Sequence, residues 1–456
     1  MKLRAADLWR WDGTLDRGPY AVLGLLLTTL KYNLDRLLMA SLDGNSWRWS
    51  LYWAPGNTFS RLLHDPAAAT LRWTLFLSCL PFLWAGVVLT LRRLRSAGLP
   101  LWPVVFFCVP VLNLLFFAVL CSLPPRDAAP RDQKASYLSR IIPKSYWGGA
   151  AFAMALTIVP MALTTILAMD VARQYGWTLF IGVPFMMGFY SAIICSWHQP
   201  RTLSACYGVT MGSLLLLGGL LVAAAFEGII CIAMAAPLAM LVALAGTVLG
   251  HAVARMKVQP HSSLFSLLLV LPFLVGAEAA TAPEAPLQAV RTAVEIDAPP
   301  DRVWRHVVSF TEIPPPGELI FRTGLSYPLR AEIVGTGPGA VRHCVFTTGP
   351  FVEPITTWDQ PRLLGFGVTS QPAPMEEWTP WPSIHPPHLD GCFVSRRGQF
   401  LLEALPGGRT RLEGTTWYTH ELFPNAYWGI WSDAIIHRIH GRVLRHVKTL
   451  AEEKGA

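Results

Sequence analysis

Two rhythms of apolar and polar residues divide the chain. Up to Ala277 the apolar residues come in long runs. After Val290 they alternate or recur at helical spacing, and charged residues return at ordinary density. A helix needs about 20 mostly apolar residues to cross a bilayer. Runs of this kind lie near 19–40, 70–91, 100–122, 147–169, 176–196, 207–226, 228–250 and 262–277, the last of them short. The pattern predicts a multi-span α-helical membrane bundle in two segments, 1–122 with about three spans and 147–277 with about five, separated by a basic loop over 123–146. The stretch from Trp47 to Trp53 is too polar to cross and reads as an aromatic interfacial strip. Met1 to Gly18 is polar and basic and carries no visible cleavable leader, so the first run is expected to remain as a span.

The alternating part follows a short tether. Ala277 to Pro286 is made of small residues, two prolines and no basic residue, which suits a flexible linker, placed at 278–290. The domain is expected over 291–454. Arg291–Asp297 alternates as a strand, Ala298-Pro299-Pro300 breaks it, and 301–309 reads as a short helix with Asp297 or Asp301 as its cap. Strands are expected near 328–334, 339–347, 351–358, 362–370, 391–404 and 408–420, punctuated by glycine and proline. After Pro424 the period becomes helical. Trp428, Trp431, Ile435, Ile439, Val443, Val447 and Leu450 form one apolar stripe, flanked by His437, Arg438, Arg442, Arg445 and Lys448. The expected fold is therefore α+β: a curved seven-stranded antiparallel sheet around a long C-terminal helix, a shape that can leave an apolar pocket between the two.

Val294-Glu295-Ile296-Asp297-Ala298-Pro299-Pro300-Asp301-Arg302-Val303-Trp304 resembles the opening of the polyketide cyclase/dehydrase and lipid-transfer superfamily (SRPBCC, the START-like helix-grip fold). Gly408 to Tyr418 looks like its last strand, and the long helix fits. The resemblance covers about 291–454. It implies the fold and an apolar ligand, while the superfamily spans binders, transfer proteins and enzymes and supplies no shared catalytic motif to carry over. Leu91-Arg92-Arg93-Leu94-Arg95-Ser96-Ala97-Gly98, followed by a tryptophan and an apolar run, resembles a family of small uncharacterised bacterial inner-membrane proteins, which usually carry His-Asp where this chain has Arg95-Ser96.

Composition agrees with a membrane protein: 52% of residues are hydrophobic and 14% charged, against roughly 25% charged in soluble domains. The net charge of +8 sits in short segments between apolar runs, which fits basic loops of a multi-pass membrane protein and not a nucleic-acid binder; the bacterial inner membrane is what the second resemblance implies. The charge pattern leaves the topology open. The N-terminal segment and Arg92–Arg95 belong on one side. The loop with Arg126, Arg131, Lys134, Arg140 and Lys144 belongs there too, yet one run separates them. Either 100–122 is a re-entrant hairpin broken near Pro110, which places the C-terminal domain outside, or the chain crosses eight times and the domain is cytoplasmic. Among charges at membrane depth, Lys31, Asp35 and Arg36 read as interfacial pairing and snorkelling. Gly246-x-x-x-Gly250 allows close helix packing.

Candidate chemistry is sparse. Of the eight cysteines, none forms a Cys-x-x-Cys pair, and Cys344 and Cys392 read as buried thiols. In the last strand Arg411 and Glu413 must face water, so Leu412, Gly414, Thr416, Tyr418 and His420 face the long helix. A pocket lined by Leu412, Thr416, Tyr418, His420, Trp428 and Trp431 is expected, or else a filled core in which Tyr418 and His420 satisfy hydrogen bonds. His385 with His388, and His437 with His440, have ligand-like proximity, yet spacing marks no third ligand and no metal is expected; the second pair could instead meet phosphate headgroups. Glu353 is expected to pair with Arg342 or Arg396. No nucleophile elbow, phosphate loop, dinucleotide fingerprint or zincin motif is present, so no cofactor is expected and the catalytic residues stay unknown. The reading that follows is a membrane-anchored module whose partners are the lipid bilayer and an apolar or amphipathic small molecule, lipids included. Its rivals are a cyclase, dehydratase or hydrolase using Tyr418 and His420 as acid or base, and a transporter regulated by the domain.

Overall fold

The computed structural model describes residues 9–52, 62, 65–109, 112–126, 137–256, 266–281, 285–381, 384, 386–389 and 391–453. They form two compact units: Met1–Leu221 with Ala235–Glu284, and Val222–Met234 with Ala285–Ala456.

The first unit is helical. Among the described residues five helices are long and apolar enough to cross a membrane: Pro66–Ala97, Tyr146–Val171, Thr178–Cys195, Leu203–Ala223 and Ile229–Ala254. Leu215, Leu241 and Phe273 on this unit are exposed, as side chains that meet lipid should be. Val183–Cys195 is buried along its whole length. It lies against residues 243–250 so closely that a Cβ on Gly246 or Gly250 would overlap the carbonyl oxygen of Phe185 or Phe189. The glycine pair thus serves helix contact, as its spacing suggested.

Three sequence expectations change here. The run 100–122 is a 3₁₀ segment Trp102–Cys108 and a separate helix Leu112–Ser122 of 11 residues. That helix spans about 16 Å at 1.5 Å per residue, about half a hydrocarbon core; Pro110 lies outside the described residues. Arg92–Arg95 is the last part of helix Ala69–Ala97 and not a loop. Arg93 is fully buried and donates to Leu120 O at 3.0 Å, to Ser96 Oγ at 3.1 Å and to Leu123 O. It caps carbonyls at the end of the next helix, so it does not weigh as a loop charge. Lys31 and Asp35 pair inside the unit, with Asp35 buried and Tyr52 Oη donating to its Oδ2 at 2.6 Å. Lys31 and Asp35 are thus paired, and Arg36 is exposed.

The helix Val270–Thr281 runs into the stretch read as tether. Within it Glu278 accepts the Thr178 N–H at 2.9 Å, which holds the stretch in place.

The second unit carries a seven-stranded antiparallel sheet in the order β1-β7-β6-β5-β4-β3-β2. The strands are β1 Gln288–Ile296, β2 Pro328–Val334, β3 Val341–Phe346, β4 Gly349–Asp359, β5 Leu363–Gly367, β6 Phe393–Leu405 and β7 Arg409–His420. A short helix, Pro300–Val308, follows β1, and the long helix Asn425–Glu452 closes the chain. The sheet curls into a half-barrel around that helix. Its core joins Ile296, Val303, Trp304, Leu364, Leu402 and Leu412 to Val443, Leu444 and Val447 of the long helix.

Two local readings are corrected. The short helix takes Pro299 as N-cap, with no side-chain cap bond, because Pro299-Pro300 already sets the entry dihedral. Asp301 lies in its first turn, and Asp297 uses its backbone N–H on Glu452. The stripe of the long helix is wider than expected. Trp428, Val443 and Val447 are buried as its period predicts, Ile435 and Ile439 are half-buried, and Ile436, Leu444 and Arg442 are buried as well. Arg442 donates to Pro328 O and Pro314 O at 3.1 and 2.7 Å and covers the Tyr327 ring. The carbonyl acceptors give the enclosed guanidinium hydrogen-bond partners in place of water.

Because this domain has its own core, residues 285–456 expressed without the spans should fold and unfold in one cooperative transition by circular dichroism. An insoluble product, or a melt without a transition, would reject that boundary.

Candidate functional site

Strand parity puts alternate residues of β7 on the helix side, and Leu412, Gly414, Tyr418 and His420 are all buried. Leu412 belongs to the main core. Tyr418 forms a second cluster with Val290 and Ile436, against Phe393, whose ring centroid is 5.0 Å away. Its hydroxyl is 2.6 Å from Asp433 Oδ1 on the long helix and 2.7 Å from Gln288 Oε1 on β1. One hydroxyl proton serves both acceptors, and the carboxylate is the stronger. Burial first, then Asp433, pushes the phenol far above its usual range, so Tyr418 remains a donor.

His420 stacks beside Tyr418 at 6.1 Å. Its Nε2 is 3.2 Å from Gln288 Nε2, and Asn425 Nδ2 reaches both its Nδ1 and its carbonyl at 3.2 Å. Asn425 Oδ1 in turn accepts from Gln288 Nε2 at 2.6 Å. Tyr418, His420, Gln288, Asn425 and Asp433 therefore make one polar knot at the N-terminal end of the long helix. Trp428 is buried on the same helix and Trp431 is partly exposed.

Thr416 belongs to a different group. Its Oγ1 meets His440 Nε2 at 2.8 Å, and Thr292 Oγ1 meets His440 Nδ1 at 3.1 Å and His437 Nδ1 at 2.8 Å. Both ring nitrogens of His440 are engaged along the seam between helix and sheet. Of the six residues singled out in the sequence, then, Tyr418 and His420 meet directly, Thr416 and Leu412 lie elsewhere along the strand, and the two tryptophans follow the helix. Gln288, Asn425 and Asp433 went unseen, and His440, singled out only beside His437, joins Thr416. Gln288 is the β1 partner of Tyr418 in register, a fact no local pattern contains. His385 lies outside the described residues.

Further along the sheet, Arg342 and Glu353 are direct partners across β3 and β4 and form a buried ion pair. The guanidinium lies 5.5–5.6 Å from the ring centroids of Phe310, Phe366 and Phe400. Burial pushes the Glu353 carboxyl up, and holds the Cys344 thiol at about 12. Pairing with Arg342, and not Arg396, follows from the register.

The two enclosed imidazoles carry a pH signature. Burial holds His420 at about 4, and burial with the nearby His437 holds His440 at about 4. The unfolded chain takes up these protons near pH 6.5 and the folded chain only near 4, so unfolding binds protons in that window. Stability should therefore be unaffected by them above pH 6.5 and fall as pH drops from about 6.5 to 4, by about 3 kcal/mol for a fully enclosed group. His420→Gln should flatten that decline in thermal melts of the detergent-solubilised chain; an unchanged acid limb would refute the assignment.

Comparison with known proteins bears on the same domain. Residues 288–422 match the family described as polyketide cyclase/dehydrase and lipid transport. Comparison with curated proteins gives no match. Among solved structures, the chain is similar to a protein of Nitrosospira multiformis, 16% identical, covering 37% of this chain and 98% of that one with a TM-score of 0.24. It is similar to the Zhui aromatase/cyclase of a Streptomyces species, 16% identical, covering 37% and 95% with a TM-score of 0.25. It is also similar to norcoclaurine synthase of Thalictrum flavum, 12% identical, covering 38% and 97% with a TM-score of 0.25. In its sheet order, its long C-terminal helix and its match over 288–422, the C-terminal domain resembles the polyketide cyclase/dehydrase and lipid-transport family.

Proposed function

We propose that the chain is a membrane-anchored binding module of the bacterial inner membrane, whose C-terminal domain takes an apolar or amphipathic small molecule between sheet and long helix. The observation that carries this reading is the polar knot of Tyr418, His420, Gln288 and Asp433 set against the apolar side chains of Val290, Ile436 and Phe393. Apolar walls hold the body of a ligand, and a few convergent polar groups orient one end. In the closed seam the Tyr418 hydroxyl and both His420 ring nitrogens already have partners, so the polar end of a ligand would take the place of Gln288 or Asn425. Trp428 and Trp431 on the helix, with Thr416 and Leu412 further along the strand, would line the space that such an exchange opens. The apolar helices of the first unit keep the domain beside a bilayer, where such ligands concentrate.

A second reading, an enzyme of cyclase, dehydratase or hydrolase type, draws on the same pair, since a buried phenol beside a neutral imidazole is a possible acid and base. The test is mass spectrometry of molecules extracted from the purified full-length protein, with titration of a fluorescent fatty-acid probe. Saturable binding is expected, and Tyr418→Phe should weaken it by about tenfold, the value of roughly one lost hydrogen bond. No retained molecule and no saturable probe binding would reject both readings. Turnover of the bound molecule, lost in His420→Gln, would select the second.

A further inference from the structure

Glu227, Cys231 and His388 belong to the second unit but to three separate local structures. Glu227 lies in the turn before the helix Ile229–Ala254, Cys231 in its first turn, and His388 in the 3₁₀ turn Pro387–Leu389. One ligand-type atom from each lies within 4.8 Å of the others. Cys231 Sγ is 2.9 Å from His388 Nε2, and His388 Nδ1 is 3.3 Å from Glu227 Oε1. Spacing could not show the set, because 157 positions separate the thiol from the imidazole.

The surroundings hold these groups in place. Glu377 accepts the N–H groups of Ile230 and Cys231 at 3.1 and 3.2 Å, and Trp378 O accepts the Ile229 N–H at 2.9 Å. The first turn of the helix is thereby tied to the loop that later carries His388. Glu227 and His388 are 5% and 8% exposed. Such enclosure suits an ion better than an organic substrate.

We propose that this cluster is a site for one divalent ion of the zinc class, held by the Cys231 thiolate, the His388 imidazole and the Glu227 carboxylate. Sulfur, nitrogen and one carboxylate oxygen form a donor set that zinc accepts readily, and water supplies the fourth tetrahedral position. Thiolate and carboxylate together neutralise the ion, and the thiol proton is released on binding. A bound ion would join residues 222–234 to the loop between β5 and β6. The site is distinct from the Tyr418 knot and does not depend on the reading given for it.

The test uses the untagged full-length protein in detergent, loaded with zinc or cobalt(II) and dialysed. About one ion per chain is expected, with a thiolate-to-cobalt charge-transfer band that Cys231→Ser abolishes. Glu227→Gln and His388→Gln should weaken zinc binding at least tenfold, with Cys344→Ser unchanged, and zinc should protect Cys231 from alkylation. Size-exclusion profiles check that each variant is folded, and the unaltered protein decides the matter alone. Metal far below one ion per chain, a cobalt spectrum without the thiolate band, or equal alkylation of Cys231 with and without zinc would overturn the site.

Discussion

Arg342→Met should cost the C-terminal domain about 3–5 kcal/mol, the penalty of leaving one member of a buried ion pair alone. The side chains of Arg342 and Glu353 are 2% and 8% exposed, and three phenylalanine rings surround the guanidinium. Without Arg342 the Glu353 carboxylate has lost its counter-charge in an apolar site. Burial already pushes this carboxyl up, and the loss raises it further. A carboxyl whose folded value exceeds its unfolded value contributes stability that is present in acid and lost as pH rises. The variant should therefore approach the parent near pH 4 and fall away toward pH 7. The double variant Arg342→Met/Glu353→Leu should regain most of the loss, because a well-packed apolar pair can replace a buried ion pair. Denaturant unfolding followed by tryptophan fluorescence measures all three. A single variant as stable as the parent at pH 7 would show that the pair is not enclosed.

Gly246→Leu and Gly250→Leu should each destroy the helical unit, seen as loss of the monodisperse peak in detergent. Even a methyl at these positions would overlap the backbone carbonyls of Phe185 and Phe189, and a methyl at Gly188 would overlap that of Ala243. Backbone atoms cannot change rotamer, so the helices must separate. Separation would lose the close packing that holds helices together in lipid. The expected cost exceeds the roughly 1–3 kcal/mol of ordinary overpacking. Gly208 and Gly219 provide the control: nothing lies within 4 Å of a Cβ there. Replacing them with alanine should be neutral, or stabilising by about 0.5 kcal/mol through higher helix propensity. Equal tolerance at all four positions would refute the close approach.

Much of this architecture is legible in the chain itself. The seven strands and the long helix follow from alternation, period and Gly/Pro punctuation, which are local properties. Parity alone turned Tyr418 and His420 toward the helix, because successive side chains of a strand take opposite faces. Five of the eight apolar runs coincide with the described helices that are long and apolar enough to cross a membrane, while 19–40, 100–122 and 262–277 do not.

Tertiary structure decided what those side chains meet. Register, not pattern, gave Glu353 to Arg342 and Gln288 to Tyr418. The packing of the long helix placed Asp433 on the phenol and enclosed Arg442, which an amphipathic stripe leaves on its flank. Arg93 left the tally of loop charges by capping a helix about 30 residues away. Glu227 and Cys231 gained His388 only through the fold. Periodicity reports which face of an element is covered. Hydrogen bonds and ion pairs between distant segments require angstrom-level register and rotation, and only the packed chain sets these.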